Sequence, residues 1–228
     1  ADLAWFESRY PMAMSPADRR ALEKGARRNT EIAAEIERIR TEAYERPLFA
    51  GLAPGQEVRD HQARAAAMLE KVGGLLVGDD VGEGKTYTTG AACLLPGALP
   101  AIVVCMPHLK AQWAKKLREF TTLKVAVVEG TRPKARIPAD VTIIGYTQLA
   151  GWADVLEVED IGLIAFDEMQ ELRRGSQAEK GKAALRLTRV ARLRLGLTAT
   201  PIYNYGDEIW KVMQYLRPEV LGEPVILF

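Results

Sequence analysis

The sequence predicts an α/β protein in which helices cover both faces of a mostly parallel β-sheet, preceded by a helical N-terminal extension. Six short apolar runs support this, because they are rich in Val, Ile and Leu and lack the polar alternation of half-exposed strands. The runs are residues 74–79, 101–106, 124–129, 141–146, 162–168 and 194–200. Alternation of such runs with helices favours parallel strands, and the helical stretches between them are residues 85–94, 109–120, 147–153 and 177–190.

The N-terminal extension is predicted to be one long helix over residues 15–46. Ser15 can cap its first turn, Pro16 suits the first helical position, and Pro47 ends it. Apolar residues recur at helical spacing and form a single stripe made of Ile32, Ile36, Ile39 and Ala43.

A loop containing Gly and Pro at residues 51–56 marks a domain boundary. We therefore expect a helical extension over residues 1–52 and the α/β body over residues 53–224. Residues 225–228 would begin a connector to a further domain.

Composition excludes several classes of protein. The 228 residues are 48% hydrophobic and contain no apolar run of about 18 residues, so a membrane span is not expected. The first residues lack the apolar core of a signal peptide. The two cysteines are too few for a disulfide framework, and Cys105 lies in an apolar run where a buried, inert thiol is expected. These features favour an intracellular protein.

Charged and aromatic residues give a weaker indication of nucleic-acid binding. Net charge is +1, but residues 101–136 hold eight Lys or Arg against two Glu, and residues 173–194 hold eight against one. Such clusters can present a basic face to phosphates, although charge clustering alone favours two solvated helix faces. Trp113 and Trp210 lie in amphipathic stretches and are expected in the core rather than as base-stacking platforms.

Residues 78–86, GDDVGEGKT, follow a predicted strand and precede a predicted helix. Glycines in this position let successive backbone N–H groups point at phosphates, and the new helix adds its positive end. Lys85 would neutralise the β- and γ-phosphates of ATP, and Thr86 would offer its hydroxyl to Mg²⁺. The alternative is a glycine-rich turn followed by a chance Lys-Thr pair. We expect ATP to contact Asp80, Val81, Gly82, Glu83, Gly84, Lys85, Thr86 and Tyr87.

A second signal lies far downstream, where an apolar run ends in Asp167 and Glu168. Parallel strands present their carboxyl ends at one edge of the sheet, and ligands bind at that edge. We therefore expect this acidic pair beside the phosphate loop, with Asp167 holding Mg²⁺ and Glu168 orienting and deprotonating the attacking water. The alternative, acids placed at a helix N-terminus as dipole partners, loses weight once a phosphate loop precedes them.

In order and spacing, these motifs resemble the first RecA-like lobe of superfamily 2 helicases, and most closely the Swi/Snf-type translocases. The resemblance runs from residue 56 to 224 through VRDHQARAAAMLE (58–70), GDDVGEGKT (78–86), MPHLKAQWAKKLREF (106–120), IGYTQL (144–149), DEMQ (167–170), LTATPIYN (197–204) and EIWKVMQYLRPEVLG (208–222). Two features depart from the Swi/Snf pattern: Gln170 replaces the His of DEAH or DEGH boxes, and TAT replaces TGT. Nucleosome remodelling is therefore not expected.

The resemblance implies roles for further residues. Arg59 and Gln62 match the basic and adenine-reading positions of the glutamine motif. Gln170, Thr198 and Thr200 would couple the nucleotide to movement, and the two threonine hydroxyls are expected to hydrogen-bond the acidic pair. Loops of this family bind one strand of nucleic acid through its phosphate backbone, which here points to Pro107, His108, Lys110, Tyr146, Thr147 and Gln148.

These observations predict the ATP-binding and hydrolysing lobe of a DNA-dependent ATPase, a helicase or double-stranded DNA translocase. The resemblance also implies a second RecA-like lobe that supplies arginines to the ATP site, worth about 10³–10⁵ in rate in comparable NTPases. The chain alone is therefore expected to bind ATP weakly and turn it over slowly. The alternatives are a lobe of a restriction or phage DNA-processing machine, a non-catalytic nucleic-acid-binding module, and another P-loop enzyme such as a small-molecule kinase.

Overall fold

The structure, a computed structural model, describes residues 7–10, 13–41, 44–80, 82–133, 138–157, 160–200 and 207–218. The chain divides into two compact units, residues 1–45 and 46–228. This division lies before the boundary predicted after residue 52, because residues 51 and 52 bond to the second unit. Leu52 forms a β-bridge with Thr121, and the N–H of Thr122 donates to the Gly51 carbonyl at 2.8 Å. The predicted connector at 225–228 lies outside the described residues.

The first unit contains helix α1, Pro16–Arg40. Its N-cap is the predicted Ser15, whose side-chain oxygen accepts a hydrogen bond from the Asp18 N–H at 3.2 Å. The helix ends at Arg40 rather than at residue 46, because Thr41 is extended (φ −76°, ψ 163°) and its hydroxyl donates to the Arg38 carbonyl at 2.8 Å. Ala43, the last residue of the predicted stripe, lies outside the described part of the chain.

The second unit is built on one six-stranded sheet in which every pairing is parallel. Its spatial order is β1-β6-β5-β2-β4-β3. All six apolar runs form strands, each shorter than its run: β1 Gly74–Val77, β2 Ala101–Cys105, β3 Val125–Val127, β4 Val141–Gly145, β5 Leu163–Asp167 and β6 Leu193–Leu197.

Helices cover both faces of this sheet, which confirms the predicted three-layer arrangement. Three of them pack against one another on one face: α2 Asp60–Val72, α3 Lys85–Cys93 and α4 Lys110–Phe120. The other three pack together on the opposite face: α5 Leu149–Leu156, α6 Glu179–Val190 and α7 Asp207–Leu216. Helices α2 and α7 were not among the predicted helical stretches, although Trp210 of α7 was expected in an amphipathic one. No helix in the described ranges is long and apolar enough to cross a membrane.

The core follows from strand burial. Every residue of β2, β4 and β5 is buried, whereas the edge strand β3 is half-buried. The ring of Phe166 on β5 packs against the ring of Tyr215 on α7, with centroids 6.4 Å apart. Both side chains are fully buried, and burial of such a side chain stabilises the fold by about 1.5–3 kcal/mol. Cys93 and Cys105 are buried free thiols, and burial raises the pKa of each to about 12, as expected for an inert thiol.

The close approach of α7 to β1 gives a stability prediction. A Cβ at Gly74 would collide with the backbone carbonyl of Leu216 at the end of α7. We expect Gly74→Ala to destabilise the second unit by about 1–3 kcal/mol, measured by urea unfolding followed by tryptophan fluorescence. Gly25→Ala on α1 is the control, because open space surrounds that position. A Gly74→Ala protein as stable as the parent would contradict this packing.

Candidate nucleotide-binding site

The register of three strands brings the phosphate loop and the acidic pair to one edge of the sheet. Strand β6 pairs with β1 on one side and with β5 on the other, and both Val77 and Asp167 lie opposite Leu197. Because neighbouring strands lie about 4.8 Å apart, the chain leaves β1 for the phosphate loop about 10 Å from Asp167. Helix α3, which follows the loop, also packs against β5.

The phosphate loop has the backbone that its glycines predict. Gly82 (φ 99°) and Gly84 (φ 82°) are both left-handed, and Gly84 is the N-cap of α3. The Lys85 ammonium lies over the loop and donates to the carbonyl oxygens of Asp79 and Asp80 at 2.9 and 3.0 Å. Carbonyl oxygens are weaker partners for an ammonium than phosphate oxygens are, so the lysine is positioned for exchange. Val81 lies outside the described residues.

Helix α2 supports the loop from one side. Gln62 is buried, and its Oε1 accepts a hydrogen bond from the N–H of Arg59 at 3.0 Å. A Cβ at Gly84 would lie 3.1 Å from the Gln62 Nε2, so the amide and the loop are in contact. His61 Nε2 hydrogen-bonds the Glu83 carbonyl at 3.1 Å. His61 was not among the residues predicted from the sequence, although it adjoins Gln62 in the same motif.

Two predicted ATP contacts, Tyr87 and Arg59, stay predictions. The Tyr87 ring packs edge-on against Phe120 of α4, with centroids 5.0 Å apart, and a Cβ at Gly84 would lie 3.3 Å from the Tyr87 Cδ2, so the ring adjoins the loop. The Arg59 side chain is exposed, and its backbone rather than its guanidinium holds Gln62.

Asp167 is a buried carboxylate at the end of β5. Its Oδ2 accepts a hydrogen bond from the indole N–H of Trp113 at 3.0 Å. Burial raises the pKa of Asp167 above its ordinary value, and the charge of Glu168 acts in the same direction, while the Trp113 hydrogen bond and the charge of Lys85 oppose the rise. Lys85 is therefore close enough to influence Asp167, yet the carboxylate is only partly compensated. A cation at this position would be favoured.

The Trp113 contact was not predicted. The indole is buried, as expected, but it also donates to a carboxylate 54 positions away in the chain. Tyr146 supports the same residue from the backbone side, since its hydroxyl donates to the Asp167 carbonyl at 2.7 Å. Side chains from α4 and from the loop after β4 thus fix the position of Asp167.

Glu168 is the one non-glycine residue with a positive φ in the described chain (φ 51°, ψ 56°). This conformation is sparsely populated for a residue with a Cβ, and such strain concentrates at functional sites. Glu168 begins a 3₁₀ turn, Met169–Leu172, and its Oε2 accepts a hydrogen bond from the Gln170 Nε2 at 2.7 Å.

The predicted direct bonds from threonine hydroxyls to the acidic pair do not form. The Thr198 hydroxyl instead donates to the Gln170 Oε1 at 2.7 Å, and Gln170 in turn donates to Glu168. A glutamine amide can both accept and donate, so it spans a gap that the short threonine cannot. The Thr198 hydroxyl also accepts a hydrogen bond from the Thr200 N–H at 2.9 Å, and the Thr198 N–H donates to the Val77 carbonyl at 3.1 Å.

The predicted nucleic-acid residues form two adjoining loops, because Cys105 at the end of β2 pairs with Gly145 at the end of β4. Pro107, His108 and Thr147 are exposed there.

The other three predicted contacts have hydrogen-bond partners within the chain. The Lys110 ammonium donates to the Val128 carbonyl at 2.6 Å and to the Gln148 Oε1 at 2.9 Å. Gln148 is buried and donates to the Gly130 carbonyl at 2.7 Å, and the buried Tyr146 serves Asp167. Internal partners therefore engage these side chains in the described structure, and their contact with nucleic acid stays a prediction.

Comparison with known proteins places this arrangement in a family. The family model described as "SNF2-related domain" matches residues 2–227. The chain belongs to the SNF2-related domain family. It is similar in structure to the Sulfolobus solfataricus SWI2/SNF2 ATPase core in complex with dsDNA, with a TM-score of 0.68 and 25% identity over 79% of this chain and 39% of that chain. The expected first RecA-like lobe of a superfamily 2, Swi/Snf-type ATPase is thereby confirmed.

Curated relatives of this SNF2-related chain are much longer. TATA-binding protein-associated factor MOT1 of Saccharomyces cerevisiae is 27% identical over 169 residues, covering 63% of this chain and 9% of MOT1. DNA annealing helicase and endonuclease ZRANB3 of Mus musculus is 27% identical over 164 residues, covering 68% of this chain and 15% of ZRANB3. Uncharacterized ATP-dependent helicase YqhH of Bacillus subtilis is 28% identical over 170 residues, covering 71% of this chain and 30% of YqhH. The chain therefore spans less than a third of each.

The Trp113–Asp167 hydrogen bond gives a prediction that can be tested on the 228-residue chain alone. Trp113→Phe keeps an aromatic ring and removes the N–H donor. We expect the affinity for Mg²⁺-bound nucleotide to fall about 10–100-fold, as when other outer partners of metal ligands are removed. Titration of the protein with a fluorescent ATP analogue and Mg²⁺ measures this.

Trp152→Phe is the matched control, because the Trp152 indole donates to the Gly130 carbonyl at 3.2 Å, apart from the acidic pair. Equal affinities for the two variants would show that the Trp113 hydrogen bond does not support the site.

Proposed function

We propose that this chain is the ATP-binding and hydrolysing lobe of a motor ATPase that moves along double-stranded DNA inside the cell. The observation that carries the proposal is the shared register of Val77 and Asp167 with Leu197, which puts the phosphate loop beside the acidic pair. Membership of the SNF2-related domain family supports it.

The residues present fit a triphosphate with Mg²⁺. Left-handed glycines open the phosphate loop, the Lys85 ammonium has only carbonyl partners there in the described chain, and the buried Asp167 carboxylate is incompletely compensated. Thr86 and Asp167 would hold the Mg²⁺, which supplies positive charge to the phosphate oxygens when bound. Lys85 and the loop N–H groups would bind the phosphates, and Gln62 would read the adenine edge.

Glu168 would take the proton of the attacking water. Its backbone is held in the left-handed region, and the Gln170 amide orients its carboxylate at 2.7 Å. Thr198 holds the other end of Gln170 and is bonded to the last residue of β1. This chain of hydrogen bonds would report the state of the site to the segment after β6. Gln170 thus takes the coupling position.

Binding to DNA is supported by the family and by the structural neighbour, an ATPase core in complex with dsDNA. The exposed Pro107, His108 and Thr147 lie on two adjoining loops that would contact the phosphate backbone without reading sequence. We propose that a second RecA-like lobe of the same polypeptide completes the ATP site, and that the 228-residue chain alone therefore turns ATP over slowly.

The test is ATP turnover of the full-length protein with duplex DNA, single-stranded DNA and RNA measured in parallel. We expect duplex DNA to stimulate turnover most strongly. Equal turnover with and without any nucleic acid would contradict the proposed motor function. Stimulation by RNA alone would contradict the proposed substrate.

A further inference from the structure

A separate cavity of about 410 Å³ lies in the second helical layer, between α6, α7 and the segment 174–177. Its polar and aromatic lining includes Arg174, Arg189, Arg194, Trp210, Gln214 and Tyr215. Arg194 is the second residue of β6, whereas the candidate nucleotide site lies at the opposite end of that strand. The cavity is therefore distinct from the phosphate loop and the acidic pair.

Three buried polar atoms of this lining have no hydrogen-bond partner in the described structure: Arg194 Nε, Gln214 Nε2 and the Tyr215 hydroxyl. Tyr215 is 1% exposed, and burial raises its pKa to about 12, so its hydroxyl remains protonated and can donate. A buried donor without an acceptor costs stability. The Arg194 Nε and the Gln214 Nε2 lack an acceptor, and the Tyr215 hydroxyl lacks any partner.

The charge of the lining shows what kind of acceptor fits. Arg174, Arg189, Arg194 and Lys211 all line the cavity, and among the described residues that line it none is acidic. Arg194 reaches it from an inner strand, where its backbone lies between Gly74 of β1 and Ile164 of β5. Arg194 is half-buried, and an anion that pairs with it would offset its partial loss of solvation. Part of the second basic window of the sequence thus converges on this cavity.

We propose that this cavity binds the phosphate or carboxylate group of a small anionic ligand. Arg194, Gln214 and Tyr215 donate to the anion, the exposed Arg174 and Arg189 attract it at the rim, and Trp210 offers apolar surface to the rest of the ligand. The volume matches that of small-molecule sites. A DNA backbone needs an open groove along several phosphates, so a compact ligand fits this enclosed space better.

Thermal unfolding in inorganic phosphate or citrate, compared with chloride at equal ionic strength, tests the proposal. The parent protein carries Lys85→Ala, which removes the ammonium of the phosphate loop and so weakens anion binding at the candidate nucleotide site. We expect phosphate, citrate or both to raise Tm by roughly 3–5 °C for each tenfold excess over the dissociation constant. Response to one anion alone identifies which oxyanion the cavity takes.

Arg194→Met in the same background is expected to lose this rise. Arg186→Met is the matched control, because it removes the same charge from a residue that pairs with Asp154 and Glu157, outside the cavity, and it should retain the rise. If Arg194→Met fails to fold, Tyr215→Phe removes the buried hydroxyl alone and should weaken anion affinity several-fold. Equal rises in the Arg194 and Arg186 variants, an unchanged affinity in Tyr215→Phe, or no rise in the parent would overturn the proposal.

Discussion

Replacing Glu168 with Gln is expected to lower ATP turnover of the full-length protein about 10²–10⁴-fold while leaving nucleotide affinity nearly unchanged. The reason is that an amide cannot accept the proton of the attacking water, although it keeps the size of the side chain. The left-handed backbone at Glu168 and the hydrogen bond from Gln170 hold the carboxylate in one orientation. Steady-state phosphate release with duplex DNA, together with titration by a fluorescent ATP analogue, measures both quantities.

Glu171→Gln is the control for this change. Glu171 lies three residues further on, and its carboxylate pairs with Lys180 at 2.7 Å instead of facing the phosphate loop. We expect near-normal turnover from that variant. Wild-type turnover in Glu168→Gln would remove Glu168 from the proposed mechanism and would leave Asp167 as the acid to test next.

Replacing Lys85 with Ala is expected to weaken ATP binding at least about 10²-fold, and turnover in the full-length protein should fall with it. A charge-assisted hydrogen bond is worth about 1.5–3 kcal/mol, and the lysine would contact two phosphate groups. In the structure its ammonium is held at 2.9 and 3.0 Å by two carbonyl oxygens of the same loop, so it is already above the loop. Calorimetric titration with Mg²⁺ and an ATP analogue measures the loss.

Lys182→Ala is the control, since Lys182 on α6 is exposed and pairs with Glu179 at 2.7 Å. Both changes remove one positive charge, so a difference between them reports the local role of Lys85. Unaltered ATP affinity in Lys85→Ala would contradict the assignment of residues 78–86 as a phosphate loop.

The strands and their common edge could be predicted from the sequence because the signal is local. An apolar run without polar alternation is a strand buried on both faces, and the parallel order brings the end of β1 and the end of β5 to one edge. The end of α1 could not be predicted in the same way. The Thr41 hydroxyl stops that helix by binding the Arg38 carbonyl, a choice that the apolar stripe does not reveal.

Hydrogen bonds between side chains that are distant in the sequence could not be predicted for a different reason. Trp113 and Asp167 are 54 positions apart, and their hydrogen bond depends on where α4, which packs on β3 and β4, places the indole. Lys110 has the residue type and position of a DNA contact, yet its ammonium reaches Gln148 and the Val128 carbonyl. Local sequence states which groups can bond, whereas tertiary packing decides which of them meet.

The hydrogen bonds that link Thr198 to Glu168 through Gln170 could be predicted only in part. The family pattern marks Gln170 and Thr198 as coupling positions, but it does not show that the glutamine amide stands between the threonine and Glu168. This arrangement gives a physical reason for a Gln where related boxes have His, because one amide satisfies both neighbours at once.

A crystal structure of this chain with Mg²⁺ and a non-hydrolysable ATP analogue would show whether the two remote motifs share a ligand. We expect the Lys85 ammonium on the phosphates and one metal ion contacted by the Thr86 hydroxyl and, directly or through water, by the Asp167 carboxylate. A nucleotide bound away from the carboxyl edge of β1 and β5, or a metal ion with no path to Asp167, would contradict the proposed site.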